Sequence, residues 1–178
     1  CDSLDGVKDG IIGNVRGCNA TFKVKALRCS DGSDKGDTCL SDAQLAAVAK
    51  ITSEYKPGVK AAGLDSFPRW ALLEGALFRE RSNFGSVQQP SNPNTGKEPL
   101  LYIAGEQTAK FIIARNPQLD VMKFDPRDYR DRIATVGSIM DVSDVSLKAF
   151  KARGGKIILT HGTADDFITP HNTEVYYA

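Results

Sequence analysis

The chain has 178 residues, of which 23 are Lys or Arg and 22 are Asp or Glu, so its formal net charge is only +1. Hydrophobic residues make up 41% and charged residues 25%, which is typical of a globular protein long enough to bury a core. The balanced charge, without a basic block, argues against nucleic acid or a membrane surface as a partner, and no apolar run reaches the roughly 20 residues that span a bilayer.

The first 40 residues are dense in Gly, Asp, Ser and Cys, which predicts loops held by crosslinks rather than packed helices. All four cysteines lie here, a distribution that is unusual for a reducing cytosol. Of the three possible pairings we favour Cys1 with Cys18 and Cys29 with Cys39, because each closes one short loop. The close C-x2-4-C pairs of a zinc site are missing. The cysteines therefore predict a secreted or periplasmic protein.

Three carboxylates, Asp2, Asp5 and Asp9, stand close together at the start of the chain, with glycine after two of them. Ca²⁺ takes about six to eight oxygens, and a chain wound around the ion would add backbone carbonyls, most naturally those of Val7 and Ile11. The spacing of an EF-hand is absent. The residues predict either a calcium loop of another kind or a solvated loop built from Asx turns.

Helical spacing of apolar residues begins after this segment. Ser41 starts a capping box and a helix that should end before Pro57. A second helix is predicted from Pro68 to about Asn83, with Trp70 and Phe78 on its apolar face. The polar, proline-broken stretch from 89 to 96 predicts a surface loop, and further helices are predicted over 102–115 and 130–140.

The pattern changes near the C-terminus to the order typical of an α/β sheet. A short helix over 143–153 should stop at the glycine pair 154–155, an apolar β-strand should follow over 156–160, and another helix should begin at Thr169-Pro170. Asp165 follows the predicted strand, which is where α/β-hydrolases carry the acid of a Ser, Asp, His triad. Asp166 is its competitor, and a non-catalytic turn aspartate is the alternative interpretation.

The partners of such an acid are missing from the sequence. No serine stands in a G-x-S-x-G motif. We expect His161 to lie too close behind the strand to face Asp165 as a triad partner, and His171 to lie in the first turn of a helix. The order Ser, Asp, His therefore predicts a serine before residue 1 and a histidine after residue 178. We expect the chain to be an internal piece of a longer polypeptide and to be inactive alone.

These residues resemble a known family, the tannase and feruloyl esterase family, which includes mono(hydroxyethyl) terephthalate hydrolases. The resemblance covers the whole chain. Its motifs include Cys1-Asp2-x-x-Asp5-Gly6-x-x-Asp9-Gly10-x-Ile12 closing at Cys18, Asp42-Ala43-Gln44-Leu45, Phe124-Asp125-Pro126-Arg127-Asp128-Tyr129, Leu147-x-x-Phe150-x-x-Arg153-Gly154-Gly155-Lys156-x-Ile158-Leu159-x-His161-Gly162-x-Ala164-Asp165 and Ile168-x-Pro170-x-x-Thr173-x-x-Tyr176-Tyr177. Asp166 and Phe167 stand where family members often have proline and leucine, and we expect this departure to bear on the turn beside the acid.

The resemblance implies an α/β fold with two parts. Residues 1–150 would form a lid domain of helices, crosslinked loops and some short strands, and residues 151–178 would form a strand–turn–helix piece of the α/β-hydrolase sheet. It also implies that Asp165 is the triad acid. Trp70 and Phe78 are candidates for a lid wall facing an aromatic acyl group, although their amphipathic spacing favours core packing over that role.

The resemblance further implies a structural Ca²⁺ ion. Its ligands would be the side chains of Asp2, Asp5 and Asp9 and the backbone carbonyls of Val7 and Ile11. A cation with a full shell of protein oxygens has no position left for catalysis, so the ion would fasten the start of the lid.

The implied function is ester hydrolysis by a secreted serine carboxylic ester hydrolase of the feruloyl esterase or tannase type. Its partners would be a small aromatic ester and the rest of the same polypeptide. The alternative is a non-catalytic, calcium-stabilised extracellular binding module. The α/β tail argues against that alternative, because one isolated strand has no sheet to join.

Overall fold

The computed structural model describes residues 1–61, 63–75, 83, 85, 88–141 and 146–178. Across these ranges the secondary structure is almost entirely helical, and β pairing is limited to isolated bridges such as Tyr55 with Phe67. The six α-helices of the described ranges are α1 Val15–Thr21, α2 Asp42–Ile51, α3 Leu100–Gln107, α4 Arg130–Met140, α5 Lys148–Ala152 and α6 His171–Tyr177. None of the described helices is both long and apolar enough to cross a bilayer.

Shorter helical segments connect these elements. A π-helical turn, Thr108–Ile113, continues α3 directly, and 3₁₀ turns occur at Val24–Leu27, Val121–Lys123 and Pro126–Tyr129. The chain divides into two compact units. Unit 1 comprises Cys1–Ser53, Arg69–Leu77 and His161–His171, and unit 2 comprises Glu54–Pro68, Phe78–Thr160 and Asn172–Ala178. The predicted division into lid and catalytic parts at residue 150 stays a prediction.

Two disulfides crosslink the start of unit 1, and both predicted pairings are confirmed. The Cα atoms are 5.1 Å apart in Cys1–Cys18 and 5.0 Å apart in Cys29–Cys39, within the usual range for a disulfide. Cys18 and Cys29 are almost fully buried. The first bond ties the N-terminus to α1, a helix that the loop-like composition did not predict. Its signal is Asn14, whose side chain caps the helix by accepting from the Gly17 amide at 2.8 Å.

Helix α2 forms where the sequence predicts it. The Ser41 hydroxyl accepts from the Gln44 amide at 3.3 Å, and the Gln44 side chain accepts from the Ser41 amide at 2.7 Å, which is the predicted capping box. The helix ends at Ile51, before Pro57 as predicted, and the amide and hydroxyl of Thr52 both donate to the Val48 carbonyl at this end.

The helix predicted from Pro68 is wrong for the described residues 68–75. The Trp70 amide donates to the Ile51 carbonyl at 3.1 Å, and residues 72–75 form a turn. Gly75 has φ +98°, a value that no right-handed helix contains. Long-range partners of these residues within unit 1 therefore outweigh the helical spacing. The rest of the predicted helix, including Phe78, lies outside the described residues.

The strand predicted over 156–160 is also not formed. These residues belong to no helix or strand, and Ile158 is 90% exposed. A strand needs a hydrogen-bonded neighbour, and the described part of the chain supplies none beside this segment. The glycine stop before it is confirmed, since Gly154 has φ +77° and the Gly155 amide bonds to the Phe150 carbonyl at 3.1 Å.

Unit 2 is organised around α3, its π-helical continuation and α4. The predicted helices over 102–115 and 130–140 are confirmed, and the predicted loop at 89–96 contains no helix or strand. The Arg132 guanidinium donates to the Ile112 carbonyl at 3.0 Å and so joins α4 to the π-helical turn. Val59, Ala109 and the pair Glu106 and Lys110 are buried here.

Candidate active site around Asp165

Asp165 lies in a tight turn between the exposed segment 156–160 and α6. The Asp165 amide donates to the Gly162 carbonyl at 3.2 Å, which reverses the chain. Its side-chain Oδ1 accepts from the Phe167 amide at 2.8 Å and from the Ile168 amide at 2.9 Å. The carboxylate is therefore held in one orientation by the backbone that follows it, as in an Asx turn.

His161 lies beside this carboxylate. Its Nε2 is 3.4 Å from Asp165 Oδ2 and 3.1 Å from the Ile168 carbonyl oxygen. His161 contacts Asp165 despite its closeness in sequence, because the turn that begins at Gly162 brings the two side chains back together. The expectation that His161 is not the triad partner stays a prediction. The side chains are 19% and 36% exposed, so the pair lies partly open to solvent.

The turn also favours the ionised form of Asp165. Hydrogen bonds from the amides of Ile168 and Phe167 hold the pKa of Asp165 below its ordinary value, against the opposing effect of burial and with further help from His161. Asp165 is consequently a carboxylate at neutral pH. An oriented, ionised carboxylate next to a surface turn can accept a hydrogen bond from an imidazole and stabilise its protonated form.

His171 has a different environment, although it too belongs to unit 1. It begins α6, as predicted, and is buried. Its Nε2 is 3.0 Å from Glu74 Oε2, and Glu74 Oε1 accepts from Arg69 Nε at 2.7 Å. The Thr169 hydroxyl donates to the Arg69 carbonyl at 2.8 Å. These contacts join residues 69–75 to the start of α6 and give His171 a structural role.

The predicted calcium loop is ordered by its own carboxylates. Asp2 Oδ1 accepts from the amides of Asp9 and Gly10, at 3.2 Å and 2.8 Å. Asp5 accepts from the amides of Val7 and Gly13, both at 3.0 Å, and these bonds hold the pKa of Asp5 below its usual value. Asp9 Oδ1 accepts from the Ile11 amide at 3.0 Å.

One observation on this loop favours a metal ion and another does not. The donor set consists only of oxygens, which suits Ca²⁺, and the loop side chains are largely exposed and within reach of an ion from solvent. In the described ranges, however, no three His, Cys, Asp or Glu side chains converge closely enough to hold a metal. The turns among Asp2, Asp5 and Asp9 match the Asx-turn interpretation of the sequence, and the calcium ligands stay a prediction.

The two residues predicted to contact substrate, Trp70 and Phe78, stay a prediction. Trp70 is half-buried in unit 1, and Phe78 lies outside the described residues. Asp166, the competitor of Asp165, is half-buried next to it. The residue that sequence reasoning missed is His161. Its signal is the spacing H-G-x-x-D, which lets one turn bring the ring back to the carboxylate.

Comparison with known proteins relates this chain to esterases. An uncharacterized esterase of Agrobacterium fabrum is 31% identical to it, over 96% of this chain and 32% of the relative. A probable feruloyl esterase B of Aspergillus clavatus is 26% identical, over 100% of this chain and 30% of the relative. The chain therefore spans about a third of the length of the relatives it matches.

The fold agrees with the sequence comparison. The crystal structure of feruloyl esterase B from Aspergillus oryzae superposes with a TM-score of 0.68 at 26% identity, over 99% of this chain and 32% of that one. The family model described as tannase and feruloyl esterase matches residues 1–178. The predicted family is confirmed, and the chain belongs to the tannase and feruloyl esterase family.

Proposed function

We propose that this chain supplies the acid of the catalytic triad in a serine carboxylic ester hydrolase, and that the acid is Asp165. The observation that carries the proposal is the orientation of the carboxylate. Two backbone amides donate to Oδ1, and Oδ2 faces the Nε2 of His161, a histidine next to the turn that is not the proposed triad histidine. A triad acid must be ionised and oriented in this way, because it fixes the tautomer of the catalytic histidine and stabilises its charged form.

The triad histidine and the serine nucleophile would lie in other parts of the polypeptide. The relatives are about three times as long as this chain, which leaves room for both. In the reaction the serine would attack the ester carbonyl, the histidine would take the serine proton and pass it to the leaving alcohol, and Asp165 would hold that histidine. Residues 1–150 would act as the lid and residues 151–178 as part of the catalytic domain.

The substrate we propose is an ester of a phenolic or other aromatic carboxylic acid. Support comes from the relatives, several of which are named feruloyl esterases. Trp70 is a candidate for an aromatic contact with the acyl group. The two disulfides support an oxidising environment, so we propose that the enzyme is secreted or periplasmic.

We also propose that the loop from Asp2 to Ile11 binds a structural Ca²⁺ ion. The side chains of Asp2, Asp5 and Asp9 would bind the ion, together with the backbone carbonyls of Val7 and Ile11. Each of the three Asp side chains already bonds backbone amides, an arrangement that orders a loop before a metal binds. The ion would stabilise the crosslinked start of unit 1 and take no part in the chemistry.

The test of the catalytic proposal is Asp165→Asn in the polypeptide encoded by the complete gene, with a feruloyl or other aromatic ester as substrate. The amide keeps the size of the side chain but cannot stabilise a protonated histidine, so kcat should fall by about 10³- to 10⁴-fold. Asp166→Asn is the matched control, and it should leave kcat within about twofold of wild type, because an aspartate that does not hold the triad histidine adds nothing to its orientation. Equal turnover by the Asp165→Asn variant and the wild type would rule the proposal out.

A further inference from the structure

We propose that His161 is a positioning residue for Asp165 and that it acts as a hydrogen-bond donor through Nε2. This inference rests on the proposed role of Asp165 as the triad acid. The Nε2 of His161 lies 3.4 Å from Asp165 Oδ2 and 3.1 Å from the Ile168 carbonyl oxygen.

The nature of these two partners settles which ring nitrogen carries hydrogen. A backbone carbonyl oxygen can only accept, and so can an ionised carboxylate. Nε2 must therefore carry a hydrogen in both the neutral and the protonated ring. Because Nε2 carries the hydrogen, its electron pair belongs to the aromatic ring and cannot take a proton from serine. His161 consequently does not act as the general base through the nitrogen that faces Asp165.

The donor closes a small ring of hydrogen bonds. The Ile168 amide donates to Asp165 Oδ1 at 2.9 Å, the Ile168 carbonyl accepts from His161 at 3.1 Å, and His161 also contacts Asp165 Oδ2. Ile168 is thus held at both of its backbone polar groups, and the carboxylate is held at both of its oxygens. Without the imidazole, the hydrogen bonds to Asp165 from the described part of the chain would all reach Oδ1.

The contact with His161 does not prevent Asp165 from accepting a hydrogen bond from the triad histidine. An ionised carboxylate oxygen accepts two hydrogen bonds, and the 3.4 Å contact from His161 is long. Asp165 Oδ2 therefore keeps capacity for the N–H of the triad histidine. The contribution of His161 is to fix where Oδ2 points. A misplaced acid would affect the chemical step rather than substrate binding, and displacements of about 1 Å in such groups cost up to about 100-fold in rate.

The experiment compares His161→Gln and His161→Leu in the complete enzyme with an aromatic ester. The Gln side-chain amide can donate to both acceptors, whereas Leu has a similar size and no donor. We expect His161→Leu to lower kcat by about 10- to 100-fold with KM within about twofold, and His161→Gln to recover most of that loss. In the Asp165→Asn background, His161→Leu should change kcat less than about twofold, because its effect passes through Asp165.

The outcomes separate the two proposals. If Asp165→Asn is inactive while His161→Leu matches the wild type, the inference fails and the proposed function stands. If Asp165→Asn is fully active, the proposed function itself fails. Equal losses in the Gln and Leu variants, or a change in KM alone, would show that the ring matters for packing and not as a donor.

A measurement on the wild-type protein keeps the test decisive if the Leu variant does not fold. The ¹⁵N NMR shifts of the His161 ring distinguish a nitrogen that carries hydrogen from one that does not. A protonated Nε2 is expected at neutral pH. A neutral ring with hydrogen on Nδ1 alone would overturn the inference.

Discussion

Residues 1–40 and residues 92–110 are both rich in polar side chains, but different interactions hold them in place. The first segment belongs to unit 1 and contains two disulfides and exposed carboxylates that accept from backbone amides. The second belongs to unit 2 and contains Lys110 and Glu106, whose side chains are 3% and 1% exposed and form an ion pair. Asn92 accepts from Lys110, and Asn94 donates to Glu106 through both its backbone and its side-chain amide.

The difference shows how burial changes the demands on a polar group. A disulfide limits the freedom of the unfolded chain and needs little buried surface. A buried ion pair is stable only while every partner is present, because a charge without its partner cannot be solvated. Burial opposes the ionisation of Glu106, yet Lys110 and Asn94 hold the pKa of Glu106 below its usual value. Unit 2 should therefore be more sensitive to a single polar substitution than the crosslinked segment.

The largest effect should come from Glu106→Gln. It leaves the Lys110 ammonium buried without a carboxylate, so the free energy of unfolding should fall by about 3–5 kcal/mol in urea denaturation. The double variant Glu106→Leu with Lys110→Met removes both charges and should recover much of the loss.

The control for this substitution is the exposed pair of Lys60 and Asp65, whose side chains are 70% and 75% exposed with the charged atoms 3.8 Å apart. Asp65→Asn should change the free energy of unfolding by less than about 1 kcal/mol, as exposed ion pairs do. Similar values for Asp65→Asn and Glu106→Gln would contradict the comparison between buried and exposed groups.

A smaller effect is expected from removing the second disulfide. Changing both Cys29 and Cys39 to serine opens a loop with a sequence separation of 10 residues. The chain-entropy relation for a loop of this length gives a loss of about 2–3 kcal/mol in the free energy of unfolding. Ser33→Ala in the same loop is the control and should stay within about 0.5 kcal/mol of wild type. A disulfide-free variant as stable as Ser33→Ala would show that the crosslink adds nothing to the fold.

The smallest effect concerns the proposed calcium loop. Free Ca²⁺ at ten times its Kd should raise the free energy of unfolding by about 1.4 kcal/mol, measured as a rise in thermal unfolding temperature over a chelator-treated sample. Asp9→Ala should abolish this rise. Asp37→Ala should keep it, because Asp37 lies in a separate stretch that contains Asp31, Asp34 and Asp37. A wild-type protein that unfolds at the same temperature with calcium and with chelator would exclude the site.

Part of this structure follows from short-range patterns that the sequence shows directly. The capping box at Ser41, the glycine stop at Gly154 and the short loops between paired cysteines each depend on residues a few positions apart, or on a short loop closed by a crosslink. None of the three needs a partner from a distant segment of the chain, and all three are confirmed. The family was also recognisable from motif residues alone, with Asp165 among them.

Other features depend on contacts between distant segments, and only the tertiary structure decided them. The spacing of Trp70 and its neighbours predicts a helix, but bonds to Ile51 and His171 turn residues 70–75 away from it. The apolar run at 156–160 predicts a strand, yet a strand exists only beside a partner. His161 reaches Asp165 because the intervening turn reverses direction. Sequence determines local preference, whereas the placement of a side chain beside its partner is set by long-range packing and hydrogen bonding, which local patterns do not encode.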